Sequence, residues 1–172
     1  MRAAIQAGAS LVNDVKALQE DGAIEVVANS EAGVCLMHMQ GSPQTMQENP
    51  SYTNVVKEVS DFLLERIHAC EKEGIAKNRI LIDPGFGFGK TRSHNITLIK
   101  QLDAINDIGY PMLVGLSRKS VLGQVTGSDV DARLYASVAA AVIAAMKGAK
   151  IVRVHDVKAT VEALKVVAAI LE

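Results

Sequence analysis

Short apolar runs alternate with longer stretches of helical periodicity along the chain. The short runs are predicted strands and lie at residues 10–13, 34–39, 80–83, 112–117 and 151–155. The longer stretches are predicted helices and lie at residues 21–31, 52–73, 93–106, 132–147 and 158–171. Because a helix follows each strand, the pattern predicts an α/β protein with a parallel sheet.

Two parallel architectures are compatible with this alternation: an open doubly wound sheet and part of a (β/α)8 TIM barrel. The strands begin about 35 residues apart, so 172 residues hold about five units, whereas a complete barrel typically needs about 250 residues. Polar residues that could bind or react with a ligand stand at the ends of all five strands. A barrel draws its site from many strand ends, whereas an open sheet forms its site near the single point where the strand order reverses. We therefore predict that residues 1–172 form a single domain, a partial (β/α)8 TIM barrel of about five parallel strand-helix units.

Composition and charge narrow the possible partners. The chain is 49% hydrophobic and 22% charged with a net charge of −1, which is typical of one soluble domain without a polycationic face for nucleic acid. Its longest nearly uncharged apolar run, residues 136–146, is shorter than the roughly 20 residues that a membrane-spanning helix needs. We therefore expect neither nucleic-acid nor membrane partners. The run is apolar on nearly every side, so part of it is expected to contact another chain.

The two cysteines, Cys35 and Cys70, have neither metal-binding nor disulfide spacing. Their arrangement predicts a reduced, cytoplasmic protein. The first residues lack the apolar core and cleavage site of a signal peptide, and no cap precedes the first helical pattern. The chain is therefore expected to begin within a structural element.

Asp83 ends an apolar strand and precedes a glycine-rich loop at residues 85–90. A carboxylate at the end of a dry strand can accept two parallel N–H bonds from the amidine-like edge of a flat nitrogenous ring. Capping of the following turn is an equally weighted alternative. The loop matches neither nucleotide-binding motif, because Pro84 replaces the first glycine of a Walker A loop and Lys90 the third glycine of a dinucleotide fingerprint.

Arg153 and His155 stand two residues apart in the last predicted strand, so both side chains point to the same face. On a barrel that face is the lumen or its mouth. A planar guanidinium and an imidazole at a strand end can bind a phosphate group. The alternative is a surface pair between Arg153 and Asp156, which is less favoured because charged residues seldom interrupt so apolar a strand.

A second cationic run follows the fourth predicted strand. Gly115 removes a side chain where another group must approach closely, and Ser117 and Lys119 present a hydroxyl and an ammonium group beside it. A solvated basic turn is the alternative for this run. For Arg118 that alternative is the favoured one.

Three further residues are ambiguous from the sequence alone. Asn13 precedes a helical pattern and is typical of a turn. Met37 is typical of a core, and a lone histidine beside it, His38, is more often a core residue than a ligand.

Four segments together resemble dihydropteroate synthase in their order and spacing. They are LMHMQG at 36–41, LIDPGFGFGK at 81–90, SRKS at 117–120 and RVHDV at 153–157. The resemblance implies condensation of 6-hydroxymethyl-7,8-dihydropterin diphosphate with p-aminobenzoate, which gives dihydropteroate for folate biosynthesis and releases pyrophosphate with the help of Mg²⁺. It also implies a homodimer formed through late helices.

The same resemblance assigns roles to residues at the strand ends. The pterin ring is expected to be contacted from all five of these ends, by Asn13, Met37, Asp83, Lys119 and Arg153. The diphosphate is expected to be bound by Arg153 and His155. The p-aminobenzoate side is expected to be formed by Gly87, Phe88, Ser117 and Arg118.

The beginning of the family's pattern has no counterpart in this sequence. The missing parts are a first strand with an Mg²⁺-coordinating asparagine, two mobile loops and an Asp-bearing third strand, so no metal ligand is expected within the chain. Three interpretations follow: a dihydropteroate synthase, a non-catalytic partial barrel that acts as an oligomer or with a missing part in trans, and a pterin-dependent methyltransferase barrel. Arg153 and His155 disfavour the third, because methyl transfer needs no diphosphate clamp.

Overall fold

The computed structural model describes residues 1–171, in which five parallel strands follow one another in chain order. They are β1 (Leu11–Asp14), β2 (Gly33–Met37), β3 (Ile80–Asp83), β4 (Leu113–Val114) and β5 (Ile151–Val152). Strands β1 to β3 form one sheet and β4 and β5 another, and a parallel bridge between Ile82 and Met112 joins them. The strand order shows no reversal, which confirms the partial barrel and excludes the doubly wound alternative.

Eight α-helices accompany these strands within the described residues. They are α1 (Arg2–Gln6), α2 (Ala23–Ala28), α3 (Val55–Lys72), α4 (Arg92–Lys100), α5 (Leu102–Asn106), α6 (Ser120–Thr126), α7 (Leu134–Met146) and α8 (Val157–Leu171). The predicted helix at 93–106 is two helices, because the backbone at Gln101 leaves helical geometry with φ −109° and ψ 30°. Helix α6 is not predicted by the sequence pattern. Among residues 1–171, no helix has the length and apolar character needed to cross a membrane.

Three strands are shorter than predicted at their carboxyl ends. Strand β2 ends at Met37, β4 at Val114 and β5 at Val152, so Arg153 and His155 lie in a loop and not in a strand. The first N–H beyond β2 and β5 still donates to the neighbouring strand, from His38 to the Asp83 carbonyl at 3.0 Å and from Arg153 to the Val114 carbonyl at 2.9 Å. Further along, side chains accept instead: the His155 N–H donates to Ser117 Oγ at 3.2 Å, and the Arg118 N–H donates to Ser137 Oγ at 2.9 Å.

One face of the strands is covered by helices. Val34, Leu36, Ile80 and Ile82 are fully buried there and belong to one apolar cluster with residues of α3 and α5. Helix α3 contributes Leu63 and other buried residues at helical spacing. Its start is defined by Asn54, whose side chain accepts the Lys57 N–H. This face is the interior of the domain.

The opposite face carries the predicted site residues. Asn13 is in register with Cys35, and Met37 is in register with Asp83. Because registered neighbours in parallel strands share a face, these four side chains lie on the side away from the helices. That side corresponds to the lumen of a barrel.

Strands β1 and β5 are the outer strands of this arrangement. Within the described residues, β1 pairs only with β2 and β5 only with β4. Leu11 is 38% exposed and Ile151 is 39% exposed, although both are large apolar residues. The outer edges therefore present backbone N–H and C=O groups that further strands could pair with.

Candidate active site

Six of the predicted site residues line one cleft at the carboxyl ends of β4 and β5, whereas Asn13 and Met37 lie on β1 and β2 outside its lining. A cleft of about 650 Å³ opens there and is lined by Gly115, Ser117, Arg118, Lys119, Val130, Arg153, Val154 and His155. Asp83 adjoins this group, and its charged neighbours are Lys119, Arg153 and Lys90. Residues as far apart in sequence as Asp83 and His155 thus contribute to one place, which is the usual location of a site in a parallel barrel.

Asp83 is only 3% exposed at the end of β3. One of its oxygens, Oδ1, accepts the Gly85 N–H at 2.7 Å, so the carboxylate does cap the following turn. A carboxylate offers about four lone-pair sites, so this bond leaves room for a ligand. Burial raises the pKa of Asp83, while the Gly85 N–H and the nearby positive charges of Lys119, Arg153 and Lys90 act in the opposite direction. Two N–H donors on a ligand would also favour the ionised form of the Asp83 carboxyl group.

Gly85 lets the glycine-rich loop pack tightly against the end of β2. Its φ is +68°, a conformation that other residues rarely adopt, and a Cβ there would overlap the carbonyl oxygen of His38. The turn at Gly85 therefore brings the loop back over β2.

Lys119 connects the glycine-rich loop with the cleft. Its ammonium group donates to the Phe86 carbonyl and lies 4.7 Å from the centroid of the Phe88 ring. Burial lowers the pKa of Lys119 to about 8, with the negative charge of Asp83 opposing that shift. Gly87 and Phe88 are half-buried beside it.

Arg153 is the group that approaches Gly115. A Cβ at Gly115 would lie 3.1 Å from Nη2 and 3.2 Å from Nε of Arg153, so the guanidinium passes directly over this glycine. The predicted alternative, a surface pair of Arg153 with Asp156, is wrong. Asp156 instead pairs with Arg118, through Nη2–Oδ1 at 2.8 Å and Nε–Oδ2 at 3.2 Å. Arg153 therefore keeps its guanidinium directed at the cleft that it lines.

Hydrogen bonds fix both the backbone and the guanidinium of Arg118. Its φ is +57°, and this unusual backbone is fixed by the bond from its N–H to Ser137 and by a 2.9 Å bond from Arg133 Nη1 to its carbonyl oxygen. Its guanidinium binds Asp156 and lowers the pKa of that carboxyl group. Arg118 thus lines the cleft with its guanidinium paired to Asp156, which differs from the solvated basic turn that the sequence favoured.

Ser117 orients His155. Its buried hydroxyl lies 3.0 Å from His155 Nδ1 and also accepts the His155 N–H. Because Nδ1 is engaged by Ser117, Nε2 is the ring nitrogen that can face a ligand. The pair of Arg153 and His155 thus presents two N–H donor groups along one side of the cleft.

Four residues that shape this site were not predicted to do so, although the sequence did favour a core position for His38. Ser137 and Arg133 hold the turn at Arg118, and neither differs in pattern from an ordinary helix residue. Lys90 and His38 are both buried beneath the loop. Burial lowers the pKa of Lys90 to about 7, and burial together with the charge of Lys90 lowers the pKa of His38 to about 3.

Comparison with known proteins agrees with this geometry. A family model described as pterin binding enzyme matches residues 1–155. Dihydropteroate synthase of Escherichia coli strain K12 is 52% identical over 171 residues, which covers 99% of this chain and 61% of that enzyme. The chain thus spans about three fifths of the length of the curated relatives that it matches.

Solved structures give the same result in three dimensions. Dihydropteroate synthase from Stenotrophomonas maltophilia, with imidazole bound in its active site, superposes with a TM-score of 0.95 at 51% identity. The superposition covers 98% of this chain and 64% of the Stenotrophomonas maltophilia chain. The enzyme from Xanthomonas albilineans in complex with 7,8-dihydropteroate superposes with a TM-score of 0.93 at 48% identity. That superposition covers 99% of this chain and 64% of the Xanthomonas albilineans chain. Because the family model matches residues 1–155 and the superpositions cover nearly the whole chain at about half sequence identity, the chain belongs to the family of pterin-binding enzymes.

Proposed function

We propose that this chain is the ring-binding and phosphate-binding part of a dihydropteroate synthase in folate biosynthesis. The substrates would be 6-hydroxymethyl-7,8-dihydropterin diphosphate and p-aminobenzoate, and the products 7,8-dihydropteroate and pyrophosphate. The observation that carries the proposal is the buried carboxylate of Asp83 beside the cationic cleft of Arg153 and His155, on one face of the strands. The complex of the Xanthomonas albilineans enzyme with 7,8-dihydropteroate supports it.

Asp83 is the proposed anchor of the pterin ring. A pterin presents adjacent N–H groups on one edge, and a buried carboxylate can accept two of them in a charge-assisted pair. Met37, in register with Asp83, gives an apolar wall, and Asn13 offers an amide at the neighbouring strand end. Lys119 reaches the same region from β4 through its contacts with the glycine-rich loop.

Arg153 and His155 are the proposed stabilisers of the leaving group. In the reaction, the aniline nitrogen forms a C–N bond to the exocyclic methylene carbon, the C–O bond to the diphosphate breaks, and one proton passes to solvent. Negative charge grows on the diphosphate as that bond breaks, so positive groups beside it stabilise the transition state more than the bound substrate. Arg153 is also placed to pack on the pterin face, because its guanidinium crosses Gly115.

The proposed p-aminobenzoate side is formed by Gly87, Phe88 and Ser117. The half-buried Phe88 ring offers a flat apolar surface to an aniline ring. Arg118 lines the same cleft, but Asp156 holds its guanidinium. We therefore place Arg118 at the border of this side.

Mg²⁺ is a proposed cofactor whose ligands lie outside these residues. The cleft lining contains cations and a hydroxyl but no carboxylate, and within residues 1–171 no three His, Cys, Asp or Glu side chains come together. Mg²⁺ binds carboxylates and phosphate oxygens, so this lining does not fit the ion by itself. No step of the proposed chemistry is assigned to a metal held by this chain.

We also propose a cytoplasmic location. Cys35 and Cys70 are both free thiols in the interior, which is typical of a reducing compartment.

Replacing Arg153 by alanine is expected to weaken binding of the pterin diphosphate more than binding of the bare pterin alcohol. The main partner of the guanidinium is the anion, and one lost charge-assisted pair costs about 1.5–3 kcal/mol, which is roughly 10-fold to 150-fold in Kd. Calorimetric titration of both ligands measures the difference, with Arg92→Ala on exposed α4 as the matched control. Equal losses for the two ligands would show that Arg153 acts only on the ring or on folding.

A homodimer is proposed, because α7 and α8 expose a continuous apolar surface. An apolar groove of about 400 Å³ between them is lined by Val142, Met146, Ala163, Val166, Val167, Ile170 and Leu171. Monomeric proteins rarely expose contiguous apolar patches of large size without a partner. A second copy of the chain would cover this surface, as the nearly uniform apolar character of residues 136–146 predicts.

The dimer is expected to persist at micromolar concentration. Analytical ultracentrifugation should give twice the mass of the chain, and Val166→Asp in the groove should shift the protein to monomers. Val125→Asp, on the exposed side of α6, is the control and should leave the dimer intact. A monomeric mass for the unmodified chain would contradict the proposal.

A further inference from the structure

The glycine-rich loop ends in a buried lysine that the proposed chemistry does not use. Lys90 is 3% exposed, and lysine is almost never so buried without partners. Its Nζ lies 2.8 Å from His38 Nδ1, 2.9 Å from the Gly85 carbonyl oxygen and 3.1 Å from the Phe88 carbonyl oxygen. Three acceptors thus match the three N–H groups of one ammonium.

These acceptors belong to two different strand ends. Gly85 and Phe88 lie in the loop after β3, whereas His38 follows the last residue of β2. The ammonium group therefore joins the loop to the neighbouring strand. A second bond also holds this loop to the segment that follows β2: the Tyr52 hydroxyl donates to the Gly89 carbonyl at 2.8 Å.

The same loop holds two groups that the proposed function places against the pterin ring. The Gly85 N–H fixes one oxygen of Asp83, and the Phe86 carbonyl accepts from Lys119. Both contacts lie in the segment that Lys90 holds at each end, at Gly85 and at Phe88. A shift of this segment would move the Asp83 carboxylate and the Lys119 ammonium together.

We propose that Lys90 is a positioning residue, which sets the geometry of the ring pocket by holding the loop at residues 85–88 against His38. The proposal rests on the proposed pterin-binding function. Lys90 itself lies under the loop and acts through Asp83 and Lys119, whereas the proposed phosphate ligands Arg153 and His155 follow β5 and lie outside the loop.

The first test compares two ligands on three forms of the chain. Lys90→Met removes the three donors, and Lys100→Met on an exposed position of α4 is the matched control. Calorimetry with 6-hydroxymethylpterin should show at least a tenfold loss of affinity for Lys90→Met, while inorganic pyrophosphate binds within twofold of the unmodified chain. Unchanged pterin affinity, or equal losses for both ligands, would overturn the positioning role.

The second test changes the acceptor and keeps Lys90. His38→Asn places an amide oxygen near the position of Nδ1, whereas His38→Leu removes the acceptor. We expect pterin affinity within threefold of the unmodified chain for His38→Asn and at least a tenfold loss for His38→Leu. The double variant His38→Leu/Lys90→Met should bind no more weakly than either single one, because both break the same contact. If His38→Asn and His38→Leu lose the same amount of pterin affinity, the proposal is contradicted even if Lys90→Met fails to fold.

A third measurement needs no ligand. With Lys90 donating to Nδ1, His38 is neutral and carries its proton on Nε2. The nitrogen NMR resonances of the His38 ring should therefore show an unprotonated Nδ1 in the unmodified chain and a changed Nδ1 resonance in Lys90→Met. A protonated Nδ1 would overturn the assigned contact. Failure of the unmodified chain to bind 6-hydroxymethylpterin would instead contradict the proposed function, so the two failures are distinguishable.

Discussion

Replacing Asp83 by asparagine is expected to abolish binding of the pterin ring with little loss of fold. The asparagine oxygen can still accept the Gly85 N–H, so the turn after β3 is retained. Its NH2 group would face ligand N–H groups that need an acceptor. Two lost charge-assisted bonds amount to about 3 kcal/mol or more, which exceeds a hundredfold in Kd. Titration of 6-hydroxymethylpterin by calorimetry measures this loss, and circular dichroism with thermal unfolding measures the fold.

The control for this variant is Asp107→Asn, which changes an exposed carboxylate after α5. It should leave pterin affinity unchanged. If Asp83→Asn also binds the ring as the unmodified chain does, Asp83 is only the cap of the loop that follows it. Gross unfolding of Asp83→Asn would contradict the expectation that the amide retains the bond to Gly85.

The second large effect concerns turnover: the 172-residue chain by itself is expected to show no more than trace synthase activity. Strands β1 and β5 each keep one open edge in the described residues, and the apolar side chains of Leu11 and Ile151 are exposed there. The cleft offers no carboxylate for Mg²⁺, so the diphosphate would lack neutralisation by a metal. The chain also aligns with only 61% of the Escherichia coli enzyme. Ring binding should survive, because Asn13, Met37, Asp83 and Lys119 are all present.

Activity is measured as formation of pteroate from the pterin diphosphate, p-aminobenzoate and Mg²⁺. The comparison is the same chain supplied with the preceding strand-helix units, either fused to it or as a separate polypeptide. Restoration should raise turnover by several orders of magnitude, since metal assistance and water exclusion both contribute to such reactions. Turnover by the 172-residue chain close to that of the restored protein would show a compact, self-sufficient enzyme.

The order of strands and helices could be predicted because it depends on local periodicity. Buried strands such as Ile80–Asp83 are apolar up to their last residue, and α3 repeats its apolar residues at helical spacing. The ends of β4 and β5 could not be predicted, because side chains distant in sequence, Ser117 and Ser137, take over the backbone bonds there. Helix α6 was not predicted because its seven residues span about two turns, which is too few to show a clear helical period of apolar residues.

The site was partly predictable for a similar reason. Asp83 ends β3, Arg153 follows β5 directly and Lys119 lies in the loop after β4, and parallel strands bring their carboxyl ends together. Partners were harder to predict: the three-residue spacing of Arg153 and Asp156 allowed a local pair only as the less favoured alternative, and nothing in it indicated that Arg118 from another strand end binds that carboxylate. The contact of Lys90 with His38 joins residues 52 positions apart, which no local pattern can indicate.

The most direct measurement of the central claim is a crystal structure of the chain with 6-hydroxymethylpterin diphosphate bound. We predict that the ring edge lies within hydrogen-bond distance of the Asp83 carboxylate, and that the phosphates contact Arg153 and His155. A ligand bound elsewhere, with Asp83 contacting only Gly85 and the cleft beside Arg153 occupied by solvent, would contradict the account.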